Sequence, residues 1–316
     1  MVWTGHARAG AVMMMAAAVL AACERAEDTL GTVRRVPLPD SLADGATLAV
    51  DSARHLWIGT PGRLMALDSA GRSVRVVQTP GTGAPRLLGQ SAGRLAIAAG
   101  ERVAVAAAGS ARASGGWNSA AVRTLAADPR GAWVFAANRR GGVVGLDAAT
   151  LTPAWGWPET GTQALAVAVS PLGDRVYVSV DEGEDGKSQV QVRDAASGRV
   201  LFRAEQADAL RSLAAAPDGT LFGVADGAVV RLRHEGQVLR RLWSVSPGAG
   251  DAAELRMDPT GRRVAVLGRG SGAALAVLDA GDGRVLGQTK TAPLDAAFGV
   301  DGRLYLLERR AVRIVR

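Results

Sequence analysis

Residues 167–179 read VAVSPLGDRVYVS. Small apolar residues lead into Ser170 and Pro171, a turn closes on Gly173, and apolar and polar residues alternate from Arg175 onward. Alternation by two is the period of a strand, whose successive side chains point to opposite faces. Pro presets φ for a tight turn, and Gly supplies a positive φ at its end. The stretch reads as strand, turn, strand.

The same phrase recurs along the chain. LAADPRGAWVFAA starts at Leu125, LAAAPDGTLFGVA at Leu213 and LRMDPTGRRVAVL at Leu255. Weaker copies start at Leu48, Leu87 and Ala296, so the starts lie 38 to 46 residues apart. The turn glycines are Gly93, Gly131, Gly173, Gly219, Gly261 and Gly302, with Arg54 in that place in the first copy. Each unit continues through a short hairpin to a third strand, a turn and a fourth strand, as in VQVRDAASGRVLFRA from Val190. Four strands in about forty residues is the period of a β-propeller blade. A single blade cannot bury both faces, and a ring of blades does so without long exposed edges. A helical solenoid of this period would show apolar spacings of three and four instead. Six full units are followed by a copy that supplies three strands, and GTVRRVPLPD, residues 31–40, reads as the missing outer strand. The expectation is an all-β chain: a seven-bladed β-propeller of four-stranded antiparallel blades over residues 32–316, closed by an N-terminal strand pairing with the C-terminal blade.

SPLGDRVYVS resembles the YVTN-type repeat, and VDSARHLWIGT resembles NHL-type and sensor-propeller repeats. DAATLTPAW (147–155) and DAASGRVLF (194–202) resemble the Asp-x-x-Thr-Gly-x-x-x-Trp docking motif of quinoprotein-type, WD40-like propellers. Leu151 replaces the glycine in the first, and Phe202 replaces the tryptophan in the second. The resemblance implies architecture. It does not imply an activity, because propellers host lyases, lactonases, electron-transfer enzymes and scaffolds.

The chain carries a net charge of +7, and lysine occurs only at Lys187 and Lys290. No basic run is interleaved with aromatics, so nucleic acid is not an expected partner. The apolar run at residues 11–22 is shorter than the ~20 residues a membrane span needs and suits a secretory signal. Leu20-Ala21-Ala22-Cys23 resembles the bacterial lipobox, and Cys23 is the chain's only cysteine. The resemblance implies a lipoprotein signal peptide over 1–22, an acylated Cys23 and a lipidated tether over 23–31. It places the protein in the bacterial cell envelope, lipid-anchored and facing the periplasm. Glu24, rather than Asp, follows the cysteine and favours the outer over the inner membrane.

The mature chain has two histidines, His55 and His234. The repeat register puts both in exposed turns of different blades, too far apart to share a substrate. No metal site and no cofactor are expected, since zinc sites need Cys/His sets that are absent. DEGEDGKS (181–188) fails as a calcium loop, with Gly183 and Val192 at ligand positions. An alternative reading is a hydrolase or lactonase-like enzyme using Glu101, Glu159, Asp226 and Glu308 at the channel mouth. A small-ligand sensor is a third.

The second-to-third-strand hairpins carry arginine in five of the seven units: Arg63, Arg102, Arg139 and Arg140, Arg269, and Arg309 and Arg310. Equivalent positions in a ring fall on one face. With Trp117 and Trp157 they form the expected partner-binding set. The partner classes are an envelope protein, an anionic polymer or lipid headgroups, met by a monomeric, non-catalytic scaffold.

Overall fold

The computed structural model describes residues 28–51, 53–68, 70–79, 85–89, 94–107, 114–118, 122–138, 140–157, 163–181, 188–206, 208–270, 272 and 274–316. Cys23 and the signal segment lie outside the described residues.

The structure is all-β and folds as a propeller of antiparallel sheets. Blade one comprises β2 (Thr47–Val50), β3 (Leu56–Thr60), β4 (Arg63–Leu67) and β5 (Ser73–Gln78). Blade two comprises β6 (Arg86–Gly89), β7 (Arg94–Ala99), β8 (Arg102–Ala107) and β9 (Ser114–Asn118). Blade three comprises β10 (Val122–Ala127), β11 (Trp133–Asn138), β12 (Val143–Asp147) and β13 (Pro153–Trp157). Blade four comprises β14 (Gln163–Val169), β15 (Arg175–Asp181), β16 (Ser188–Asp194) and β17 (Val200–Gln206). Blade five comprises β18 (Ser212–Ala215), β19 (Leu221–Ala225), β20 (Ala228–Glu235) and β21 (Val238–Val245). Blade six comprises β22 (Asp251–Met257), β23 (Arg263–Arg269), β24 (Leu275–Asp279) and β25 (Val285–Gln288).

The blade count differs from the expected seven. Counted as self-contained blades, meaning four consecutive strands, the described residues form six and not seven. The remaining four-stranded sheet is a composite of β26 (Asp295–Phe298), β27 (Leu304–Leu307), β28 (Ala311–Val315) and β1 (Thr32–Pro37), in the order β1-β28-β27-β26. The physical reason is the edge of β28. A three-stranded unit would leave its N–H and C=O groups open. Pairing from Thr32↔Val315 to Pro37↔Ala311 covers them and closes the ring.

The ring has no single core. Apolar clusters lie in the seams between neighbouring sheets. Phe135 and Val143 of blade three meet Val176 and Val178 of blade four, and Phe222 of blade five meets Val264 and Val266 of blade six. Val36, Val312 and Ile314 of the composite sheet meet Leu48, Leu56 and Ile58 of blade one.

The recurring Asp-Pro phrase has a local cause. Asp128 Oδ1 accepts the Arg130 amide at 2.9 Å, while Gly131, at φ +78°, donates to the Asp128 carbonyl at 2.9 Å. Asp258 does the same for Thr260 and Gly261. In blade one Arg54 takes the left-handed place at φ +66°, as its position in the repeat implies.

Outer strands lock onto the next blade. Trp155 of β13 lies against Gly198 of blade four, where a Cβ would come within 2.5 Å of the indole. Trp243 of β21 donates to the Gly281 carbonyl of blade six at 3.1 Å. Phe202 of β17 stacks on His234 of blade five, with ring centroids 4.3 Å apart and an interplanar angle of 4°. His234 therefore differs from expectation: it lies within β20 rather than in an exposed turn, because β20 and β21 run eight residues each. His55 is half-buried, with Nδ1 2.9 Å from Asp51 Oδ2.

In blade six the corresponding register position, opposite Val277, is Gly287. Leu30 fills the space, and a Cβ on Gly287 would come within 2.6 Å of it. Thr29 donates its amide to the Gln288 carbonyl at 3.0 Å, and its hydroxyl accepts the Gln288 amide at 2.9 Å. Asp28 pairs with Arg313 of β28. Residues 28–31, read as free tether, are thus built into the seam between blade six and the composite sheet.

Candidate functional site: the channel and its hairpin face

Each innermost strand begins opposite the end of its second strand, as in Thr47↔Gly59, Asp251↔Arg269 and Asp295↔Leu307. This register puts the second-to-third-strand hairpins and the starts of the inner strands on one face of the ring, here called the hairpin face. The first-to-second-strand turns form the opposite, turn face. A central channel of about 2760 Å³ runs between the two. Asp44, Arg86, Asp226, Asp251, Arg269 and Arg309 line it on the hairpin face, and Pro129, Pro171, Pro217 and Pro259 on the turn face.

A charged cluster occupies the channel wall. Arg256 of β22 reaches Glu254 Oε2 at 3.0 Å and Asp295 Oδ1 of β26 at 2.9 Å. It also donates Nε to the Ala296 carbonyl at 3.1 Å. Asp295 Oδ2 accepts the Leu48 amide of β2 at 2.9 Å, so the cluster ties blade six, the composite sheet and blade one together. Arg269 reaches Glu254 Oε1 at 2.8 Å. Arg86 of blade two comes within 3.9 Å of the same oxygen, although blades two and six are not neighbours. The channel is narrow enough at this level for opposing walls to form an ion pair.

Burial alone would raise the Glu254 carboxyl, but the guanidinium groups of Arg256, Arg86 and Arg269 outweigh it and hold the group below its ordinary range. Burial lowers the Arg86 guanidinium, with Glu254 opposing. Arg256 is pushed down by burial and more strongly up by Asp295 and Glu254, so it stays charged. The arrangement is a clamp. It holds a permanent cation between the depressed Glu254 carboxyl and the Asp295 carboxyl, which burial pushes above its ordinary range against the pull of Arg256.

The hairpin arginines fall as follows. Arg63, Arg102, Arg140 and Arg310 are exposed at or beside hairpin tips. Arg269 is tied to Glu254 at 2.8 Å, and Arg309 pairs with Asp44 at 2.6 Å. Arg139 lies outside the described residues. Trp117 is half-buried and packs against the cluster containing Ala148 and Leu151 of blade three, which makes it a seam residue rather than an exposed contact. The backbone of Trp157 ends β13, and its side chain lies outside the described residues.

Among the acids, Glu308 pairs with Arg35 and Arg313, both at 3.1 Å. Asp226 lines the channel with φ +45°, Glu101 is exposed and Glu159 lies outside the described residues. Among the described residues, no group of three or more His, Cys, Asp or Glu side chains could hold a metal ion. The sequence reading missed Arg86, Glu254, Arg256 and Asp295. Their signal is polar residues in first strands that are elsewhere apolar, as in AELRM against LAVAV.

No family model matches the chain, and no curated protein does. Solved structures do match. The β-propeller domain of Myceliophteria thermophila Cps50 (Swd1) shares 12% identity at a TM-score of 0.71, covering 90% of this chain and 98% of that one. A chain of the Mitotic Checkpoint Complex shares 13% identity at a TM-score of 0.72, covering 100% and 98%. A chain of Kuenenia stuttgartiensis Hydrazine Synthase shares 15% identity at a TM-score of 0.71, covering 90% and 98%. At these identities the likeness is one of fold. The chain folds as a β-propeller.

Proposed function

We propose that the protein is a lipid-anchored envelope scaffold whose hairpin face binds another macromolecule. The observation that carries this reading is the grouping of the exposed side chains of Arg63, Arg140 and Arg310 on one face, from three different sheets. A rigid hairpin needs little backbone ordering on binding, and the arginine at its tip presents bidentate donors. The lipobox-like segment ending at Cys23 supports the anchor and the compartment. Stable anchoring needs more than one acyl chain, which diacylglycerol on the thiol supplies. The test is to replace Arg63, Arg140 and Arg310 together with Glu and compare crosslinked products from envelopes of both strains. Loss of a wild-type product supports the reading, and unchanged capture contradicts it.

A second reading is a small-ligand sensor. Arg123, Gln163 and Arg211 line the channel on blades three, four and five, a composition suited to an anion. Calorimetry with small carboxylates and phosphates separates it from the first.

A further inference from the structure

The segment 28–31 fixes where the chain leaves the ring. Thr29 pairs with Gln288, which ends β25, and outer strands run from the turn face to the hairpin face. Asp28 pairs with Arg313, whose Nε lies 3.1 Å from Glu308, the residue that opens the last hairpin. Asp28 also lines the channel together with Asp44, Glu308 and Arg309. The chain therefore passes Asp28 on the hairpin face, runs down the seam through Leu30 and returns upward as β1.

Cys23 stands five residues before Asp28. Five residues of fully extended chain span about 17 Å. A seven-residue strand such as β22 rises about 23 Å from one face to the other. An anchor on Cys23 thus reaches the hairpin side of the ring and falls short of carrying the turn face to the bilayer.

We infer that the 28–31 latch turns the hairpin face and channel mouth toward the bilayer, so that the partner of this face is the exposed part of a membrane-embedded protein. This rests on the anchoring proposed above. The charges of the face favour a protein over a headgroup layer. Arg309 with Asp44, Arg269 with Glu254 and Arg35 with Glu308 are paired, so acids stand among the exposed Arg63, Arg140 and Arg310 and the face carries both signs of charge. Mixed charge patterns match other mixed patterns.

The test uses the acylated full-length protein in vesicles of phosphatidylethanolamine and phosphatidylglycerol that carry a lipid-bound energy acceptor. Acylation blocks Cys23, so Arg310→Cys on the hairpin face, Leu172→Cys on the turn face and Val74→Cys on the outer edge each give one labelling site. The largest loss of donor emission is expected at position 310 and the smallest at 172. Equal or greater loss at 172 or 74 overturns the orientation. Intact mass is read on the same samples, and a Cys23 without acyl groups overturns the anchoring itself. Thr29→Ala with Leu30→Ser, checked for retained fold by circular dichroism, should shrink the difference between positions. An unchanged difference removes the latch from the account. A photoreactive group at position 310 should yield a product that fractionates with integral membrane proteins, and lipid-only or soluble-protein products overturn the partner class.

Discussion

The indole Nε1 of Trp155 donates to the backbone carbonyl of Ala195 in the next blade at 2.9 Å. The same ring fills the space over Gly145 and Gly198 and lies 5.8 Å from Phe135. One residue thus carries both apolar packing and a directional bond across a seam. Trp155→Ala should destabilise the protein by about 3 kcal/mol through the cavity it leaves. Trp155→Phe should cost about 1 kcal/mol, chiefly the lost hydrogen bond. Gly198→Ala should also destabilise, since φ there is +71° and the added carbon would meet the indole. Urea unfolding of the three variants checks the order.

Leu30 performs the equivalent packing for blade six from outside that blade's own sequence. Leu30→Ala should cost about 2–3 kcal/mol. Deleting residues 28–37 also removes β1 and opens the β28 edge, so the truncated chain should aggregate. Light scattering during thermal unfolding reads both effects, and a soluble truncated chain with unchanged melting would count against the closure described here.

Glu254 contributes one part of the pH dependence, and Asp295, raised by burial beside the same Arg256, contributes in the opposite sense. The Glu254 carboxyl is depressed in the folded state by Arg256, Arg86 and Arg269 against the pull of burial. A depressed carboxylate adds stability that is fully present above its unfolded pKa, about 4.3, and is lost as pH falls through the folded value. Glu254→Gln should therefore be less stable than wild type at neutral pH. Its stability should also fall less between about pH 4.3 and the acid limit. Denaturant titrations at neutral and acid pH test this, and parallel curves for the two proteins would contradict it.

Much of this was legible in the sequence, for specific reasons. The Asp-Pro-x-Gly turns at Asp128 and Asp258 are local, because one side chain caps its own turn. Their repetition announced the ring. The docking position of Trp155 was also legible, since it sits a fixed distance from its Asp147 turn. The composite nature of the last sheet shows in the pairing of residues far apart in the chain, Thr32 with Val315. The Leu30 latch was not legible. Its partner Gly287 is marked only by what it lacks, and nothing near Leu30 in sequence points to blade six. The Arg256 clamp joins three blades through single polar residues, and its partners Glu254 and Asp295 are distant from Leu48 and Arg86 in the chain. Trp117 read as a surface contact because a short glycine-rich strand disguised its packing role.

The central claim is that the hairpin face, and not the turn face, meets a macromolecule in the envelope. Blade three offers a matched pair of probes. Arg140 is exposed on its hairpin face, and Arg130 is exposed on its turn face. A photoreactive residue placed at each position in the full-length protein, irradiated in intact cells, gives the most direct reading. The account predicts a reproducible high-mass product from position 140 and none from position 130. No product from either position, or the same product from both, would contradict it.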